Sequence, residues 1–304
     1  MPRRAKLIFN PHANRGRAWN IGPQIQSIVS RHPEAEWSSS EYPTQATQLA
    51  QQAGEEGFDT VVAIGGDGTV HEVVNGLMRL PAERRPLLGI VPVGSGNDFA
   101  ASIPMETDVE RAMQRVFAGE PRPVDIGLLR DNTGRLEYWD NAVGIGFDAT
   151  VTIRTYQITR LKGFSMYLWA VIQAILLNHD APRMTVQTES ESFEQEALML
   201  VMCNGPREGG GFMVAPGARP DDGIFEYAMI EHVSRPMMLR LVPEVMNGTH
   251  GRFRQVRLGK FQRMTVTLSH PIPVHTDGEI FAGFTSEVNR LELEILPGAV
   301  QLIV

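Results

Sequence analysis

Three glycine-bearing turns constrain this chain more than any other feature. Each follows a predicted buried strand and opens a predicted helix. The middle one is the sharpest. In "VVAIGGDGTVHEVVNG", the β-branched run Thr60–Ile64 ends in Gly65-Gly66-Asp67-Gly68, and Val70, Val73, Val74 and Leu77 then fall at i, i+3, i+4 and i+7. That spacing is one face of a helix. "NPHANRG" follows the first predicted strand, Lys6–Phe9, and "GSGNDFA" follows the third, Leu87–Val91. Repeated βα units predict a mainly parallel sheet with helices on both faces. The three turns then share the carboxyl edge of the sheet, where open α/β folds bind ligands.

Glycines at a strand-to-helix turn let backbone N–H groups converge at a helix N-terminus, which suits phosphate. Neither common phosphate loop is present: there is no G-x-x-x-x-G-K-[ST], and G-x-G-x-x-G fails at Val70 and His71. The latter argues against a dinucleotide-binding dehydrogenase. Asp67 is the odd residue, because a carboxylate repels phosphate unless a metal or a proton lies between them. The residues alone leave open whether it organises a metal or caps the turn. Two capping boxes are predicted, Thr69-Val-His-Glu72 and Thr107-Asp-Val-Glu110.

Beyond Pro121–Asp125 the pattern changes to successive strands with Gly, Pro and Asp turns, interrupted by one apolar helix, "FSMYLWAVIQAILL", Phe164–Leu177. This predicts an antiparallel β-sandwich. The fold class is therefore α/β plus β. A doubly wound nucleotide-binding domain spans 1–125, and a β-rich domain spans 126–304. The apolar end "AVQLIV" is a candidate to return to the first domain.

Composition bounds the function classes. Among 304 residues, Lys plus Arg number 28 against 35 Asp plus Glu, a formal charge of -7. No basic excess favours nucleic acid, so none is expected as a partner. Cys203 is the only cysteine, which suits a reducing compartment. The longest apolar run is shorter than the ~20 residues that span a bilayer. The chain reads as cytoplasmic, with peripheral contact at the inner face of a membrane. Arg252, Arg254, Arg257, Lys260 and Arg263, interleaved with Phe253, Val256, Leu258 and Phe261, form a candidate surface for anionic lipid. The alternative for that run is a solvated strand face.

The segments "IFNPHANRG", "VVAIGGDGTVHEVVNGL", "PVGSGNDFA", "GGGFMVAPGARPDDGIFEY" and "HTDGE" occur in this order from Ile8 to Glu279. In this the chain resembles the diacylglycerol kinase catalytic-domain family, which includes soluble bacterial lipid kinases, sphingosine kinases and ceramide kinases. NAD kinases are more distant relatives, so the resemblance implies an NAD kinase-like fold. It also implies transfer of the γ-phosphate of ATP to a lipid hydroxyl with Mg²⁺. Diacylglycerol is the leading acceptor, and phosphatidylglycerol, a sphingoid base or NAD are alternatives. A nucleotide-binding regulator without turnover is the reading from another class.

By the resemblance, Gly65, Gly66, Asp67, Gly68 and Thr69 contact ATP. So do Asn10, Pro11, His12, Ala13 and Asn14 of the first turn, with Ser40, Ser95 and Asn97. Asp67, Asp98 and Asp125 form a carboxylate network around the catalytic Mg²⁺. Asp277 and Glu279 supply the proton acceptor, facing the nucleotide from the second domain. Strand alternation would put both on one face, whereas Asp277-Gly278 also reads as a turn. In "ARPDDGIF", Asp222 with the carbonyls of Arg219 and Ile224 would hold a structural Mg²⁺ or Ca²⁺; an Asp-Asp-Gly turn is the plain alternative. Two positions depart from the family pattern: residue 101 is Ala where Arg is common, and Ala13 and Asn14 stand where Ser is common. A lipid substrate at a membrane surface and a homodimer are the partners expected.

Overall fold

The computed structural model describes residues 3–161 and 163–304. The chain divides into two compact units, one running to Ile126 and adding Pro297–Val304, the other holding Gly127–Leu296.

The first unit alternates strands and helices. In order they are β1 (Ala5–Phe9), α1 (Gly22–Val29), β2 (Ala35–Ser39), α2 (Gln45–Glu55), β3 (Thr60–Gly65), α3 (Asp67–Leu77), β4 (Leu87–Pro92), α4 (Asp98–Ala101) and α5 (Val109–Ala118). The chain leaves the unit along β5 (Pro121–Asp131). The sheet order is β2-β1-β3-β4, all parallel. The C-terminal segment adds beyond β4, Leu302 pairing in parallel with Leu88. All six residues of β3 are buried, as a central parallel strand covered on both faces requires. The order reverses between β1 and β3, a switch point where open α/β sheets bind ligands.

Both capping boxes need correction. The third helix begins at Asp67, two residues before Thr69. The Glu72 carboxylate instead accepts the N–H groups of Thr44 (2.8 Å) and Ala46 (3.0 Å), capping the start of α2. The fifth helix is capped by Asp108, whose side chain accepts the N–H of Arg111 at 3.0 Å. In the first place the Thr69 N–H is already taken by Gly66 C=O at 2.9 Å; in the second the helix starts one residue later than the box requires.

The second unit continues with β6 (Leu136–Trp139), β7 (Ala142–Gly146), α6 (Phe147–Gln157), α7 (Phe164–Leu177), β8 (Arg183–Thr188), β9 (Ser192–Cys203) and β10 (Phe225–Glu231). It ends with α8 (Arg235–Met246), β11 (Val256–Phe261), β12 (Arg263–Leu268), β13 (Val274–Thr276), β14 (Glu279–Ala282) and β15 (Arg290–Ile303), which re-enters the first unit. The twelve residues of β9 serve two layers. Ser192–Glu196 pairs with β8, and Ala197–Cys203 pairs with β7 and β10. The two layers enclose a core that includes Trp139, Leu200, Phe225, Phe261 and Val274.

Two helices join the one expected in this unit. The sixth, "FDATVTIRTYQ", is rich in β-branched residues, and the eighth carries Pro236 and Pro243, so neither reads as a helix from local preference. The seventh, apolar for most of its length, is buried on one face only. Met166, Ala170, Val171, Ala174 and Ile175 face inward, while Trp169, Leu176 and Leu177 are 46%, 60% and 67% exposed.

Glu72→Ala should lower the urea midpoint by the equivalent of about 1 kcal/mol, the usual worth of a helix cap. Glu72→Gln, which keeps an acceptor oxygen, should recover part of it. An unchanged midpoint in Glu72→Ala would show that α2 does not depend on this carboxylate.

Candidate active site

At the carboxyl ends of β3 and β4, two glycine loops touch backbone to backbone. A Cβ built on Gly94 would lie 2.3 Å from the Cα of Gly66, closer than any non-bonded pair permits. A Cβ on Gly66 would lie 3.0 Å from the Cα of Gly94, so a side chain is excluded at Gly94 and would press the loops apart at Gly66. A carboxylate then ties them: Asp67 Oδ2 accepts the N–H of Asn97 at 2.7 Å, and Oδ1 lies 3.4 Å from the N–H of Phe99. The amide of Asn97 closes its own loop, Oδ1 accepting from Gly94 N–H (2.9 Å) and Nδ2 donating to Gly94 C=O (3.2 Å). Asn97 itself sits in the left-handed region at φ 54°, a conformation Asn tolerates. Its side chain is thus a loop brace, and Ser95 is the exposed residue at the tip.

The first turn is joined to the second. Asn10 Nδ2 donates to Thr69 Oγ1 at 3.0 Å, and Asn10 Oδ1 accepts the N–H of His12 at 2.9 Å. Asn14 and Arg15 follow with φ of 51° and 55°, so the turn curls left-handed after Pro11 and Ala13. Ser40 is buried at the end of β2, its N–H donating to Phe9 C=O at 2.8 Å. All three glycine-bearing turns and Ser40 therefore follow the carboxyl ends of adjacent parallel strands.

Asp67 and Asp98 converge on one place. A Cβ on Gly96 would meet Asp67 Oδ2 at 2.9 Å and Asp98 Oδ2 at 3.2 Å. The missing side chain leaves a small cradle faced by two carboxylate oxygens. Burial, and next the nearby charge of Asp98, push the Asp67 carboxyl up to about 7. Two hard oxygens with room beside them fit a divalent cation that completes its shell with water and phosphate. Asp125 does not join this pair: among the described residues the three acids do not gather within ligand distance of one another. Its carboxylate instead accepts the N–H of Gly298 at 2.8 Å, anchoring the returning C-terminal segment. Of the three acids of the expected network, Asp67 and Asp98 converge and Asp125 anchors the chain's return.

In the second unit, "HTDGE" forms a hairpin. Thr276 pairs with Glu279 across Asp277 and Gly278, whose φ values are 50° and 81°. Two positive φ values are the pattern of a type I′ turn, for which Asp-Gly is a favoured pair. The same-face argument for Asp277 and Glu279 therefore fails, because Asp277 lies in the turn. Its carboxylate is buried and accepts three N–H groups, from Asp140 (3.0 Å), Asn141 (2.8 Å) and Ala142 (2.9 Å). Glu279 is exposed and receives the hydroxyl proton of Tyr156 at 2.9 Å. Burial, then the Glu279 charge, push the Tyr156 phenol up, so it remains a donor. Tyr156 went unrecognised in the sequence because α6 did.

The "ARPDDGIF" loop behaves as a turn. Asp222 Oδ1 accepts the N–H of Ile224 at 3.3 Å, and the Arg219 guanidinium turns to Asp221 at 3.0 Å. Asp222, Arg219 and Ile224 thus lie together in one short loop. Ala101 ends α4 in an exposed position.

Residues 4–129 match the diacylglycerol kinase catalytic domain, and residues 141–304 match the YegS C-terminal NAD kinase beta sandwich-like domain. The chain belongs to the diacylglycerol kinase catalytic-domain family. A Chromohalobacter salexigens protein named "Probable lipid kinase YegS-like" is 32% identical over 272 residues, covering 84% of this chain and 82% of its own. A Bacillus subtilis protein named diacylglycerol kinase is 28% identical over 288 residues, covering 91% and 90%. In fold, the chain is similar to a Bacillus anthracis diacylglycerol kinase (TM-score 0.73, 20% identity, 99% and 97% covered). It is also similar to yeast NADH kinase (TM-score 0.54, 10% identity, 99% and 83% covered). The Chromohalobacter salexigens and Bacillus subtilis relatives are both named as kinases, and membership of a kinase family implies a nucleotide and a divalent cation.

The Asp67 carboxyl binds its proton more tightly folded than unfolded. Its contribution is full below the unfolded value of about 4 and is lost as pH rises through about 7. Without divalent cation, the melting temperature of the wild type should therefore fall from pH 5 to pH 8 more than that of Asp67→Asn. Adding Mg²⁺ at pH 8 should raise the wild type and leave the variant nearly unmoved. Parallel pH profiles would show that this carboxyl is not strained by its surroundings.

Proposed function

We propose that the protein is a lipid kinase that moves the γ-phosphate of ATP to a lipid hydroxyl with Mg²⁺, diacylglycerol being the leading acceptor. The observation that carries this is the pair of acids, Asp67 and Asp98, converging beside Gly96 on loops built without side chains. Phosphoryl transfer asks a protein mainly to position the reactants and neutralise charge. The backbone at Gly65, Gly66 and Gly68 and the Thr69 hydroxyl would hold the phosphates, with Asn10 fixing that hydroxyl. The two acids would hold Mg²⁺, whose chemistry is to neutralise charge on the phosphate oxygens.

The lipid O–H forms the new bond to the γ-phosphorus as the bond to the β-bridging oxygen breaks, releasing ADP. Its proton needs an acceptor. Of the two acids in the hairpin, Glu279 is the better candidate, because three N–H groups already occupy Asp277. Diacylglycerol is favoured as acceptor by the family and by the name of the Bacillus subtilis relative.

A membrane-held substrate requires contact with a lipid surface. The basic run is poorly suited to it: Arg252 pairs with Glu244, Arg257 with Glu191 (3.0 Å) and Lys260 with Glu226 (3.0 Å), while Val256 and Phe261 are buried. The outward face of α7 is better suited. It has no charged residue, exposes Trp169, Leu176 and Leu177, and ends beside Arg235, which donates to Ile175 C=O at 3.0 Å. No helix among the described residues is long and apolar enough to cross a membrane.

With labelled ATP, Mg²⁺ and a panel of diacylglycerol, phosphatidylglycerol, a sphingoid base and NAD, label should appear chiefly in phosphatidic acid. Asp67→Ala and Glu279→Gln should each lower the rate by about 100-fold or more. No label in any acceptor would favour a regulator without turnover. Transfer indifferent to both substitutions would remove the site as assigned.

Phosphatidylglycerol vesicles should shift tryptophan emission to the blue in the wild type, and much less in Trp169→Phe. The same shift in both would move the contact away from α7.

A further inference from the structure

A second cluster in the β-rich unit lies one layer beneath the hairpin. His275, on β13, is fully buried. Its Nε2 lies 2.7 Å from Asp148 Oδ2, at the start of α6, and 2.9 Å from Glu208 Oε1. Its other nitrogen, Nδ1, accepts the N–H of Gly278 at 3.2 Å. The cluster has space made for it. His275 pairs across the sheet with Gly144, where a Cβ would fall 2.3 Å from Nε2 and 2.0 Å from Asp148 Oδ2. Any side chain at 144 would expel either the ring or the acid.

The two contacts define the ring's state. A backbone N–H aimed at Nδ1 requires a lone pair there, so the ring proton sits on Nε2. Two carboxylates then share that proton. Burial disfavours a charged ring, and Glu208 and Asp148 favour it, yet the second proton of an imidazolium could sit only on Nδ1, which already accepts the Gly278 N–H; that contact holds the ring neutral. The same acids, after burial, push the neighbouring Cys203 thiol up and keep it protonated. A divalent cation on Nε2 would need the ring proton moved to Nδ1, against the N–H of Gly278. The geometry favours a held proton over a held metal.

We infer that His275 is a positioning residue for the hairpin acid: with Nε2–H fixed by Asp148 and Glu208, its Nδ1 holds the Gly278 N–H, and so sets the turn from which Glu279 projects. The turn needs such a hold, because Asp277 is a non-glycine residue at φ 50°. One helix serves both ends of the arrangement. Asp148 and Tyr156 are eight residues apart on α6, on the same face, and they meet His275 and Glu279. This inference rests on the reading of Glu279 as the proton acceptor.

Two substitutions divide the role. His275→Asn keeps an acceptor near the place of Nδ1 and gives up the carboxylates. His275→Gln reaches the carboxylates and gives up that acceptor. In the diacylglycerol kinase assay, His275→Gln should lower kcat by about 10- to 100-fold, the scale of a misplaced reacting group, with KM for ATP unchanged. His275→Asn should stay within about 3-fold of the wild type, well inside that range. Equal losses in both variants, or a fully active His275→Gln, would overturn the inference.

Imidazole ¹⁵N NMR of the wild-type protein tests the same point without any turnover. A protonated Nε2 with an unprotonated Nδ1, unmoved by Mg²⁺ or Zn²⁺, is the result expected. A proton on Nδ1, or a shift on adding either metal, would refute it. A wild type that phosphorylates no lipid would count against the proposed activity alone, since the NMR result stands by itself.

Discussion

The α/β unit depends on one contact, the approach of Gly66 to Gly94. Two parallel strands end side by side, and their loops can meet this closely because Gly94 carries no side chain and Gly66 faces it. Once they meet, the Asp67 carboxylate reaches the N–H of Asn97, and the two loops become one surface. The same closeness brings Asp98 beside Asp67, so an arrangement that binds the loops together also concentrates negative charge. Burying two neighbouring carboxylates is costly unless a proton or a cation lies between them. The site is in this sense incomplete by construction, and its deficit has the sign and the hard oxygen donors that a divalent cation satisfies.

The β-rich unit solves a different problem. A two-residue turn must hold one acid inward and present the next outward. Asp277 turns inward and is consumed by three backbone N–H groups at the start of β7. Glu279 faces out and meets a phenol that stays protonated. What looks in one dimension like a pair of equivalent acids is, in three, a buried strut and an exposed carboxylate. The division follows from the φ values of the turn rather than from the chemistry of the residues.

The βα architecture was legible because it is written locally. Buried β-branched runs, glycine turns and the helical spacing of Val70, Val73, Val74 and Leu77 each fall within a short window. The sandwich was legible as a class from its strands and turns. Its helices were less so, since α6 and α8 owe their state to packing rather than to residue preference. The same limit applied at the sites. Glu72 and Thr69 have the spacing of a capping box, yet the acid caps a different helix and the hydroxyl binds Asn10. Asp125 has the right type and place for a metal ligand, yet its partner, Gly298, lies far along the chain. Pairings of this kind have no signal in a local pattern. His275, by contrast, lies inside the "HTDGE" motif. Its acids, Asp148 and Glu208, are too distant in sequence to suggest themselves.

On the proposed function, Asp67 and Asp98 bind a divalent cation together with nucleotide phosphate. Titrating Mn²⁺ by electron paramagnetic resonance, with and without a non-hydrolysable ATP analogue, tests it most directly. One tightly held Mn²⁺ should appear in the wild type when the analogue is present, and should be lost in both Asp67→Asn and Asp98→Asn. Undiminished Mn²⁺ binding in those variants, or binding indifferent to the analogue, would contradict the account.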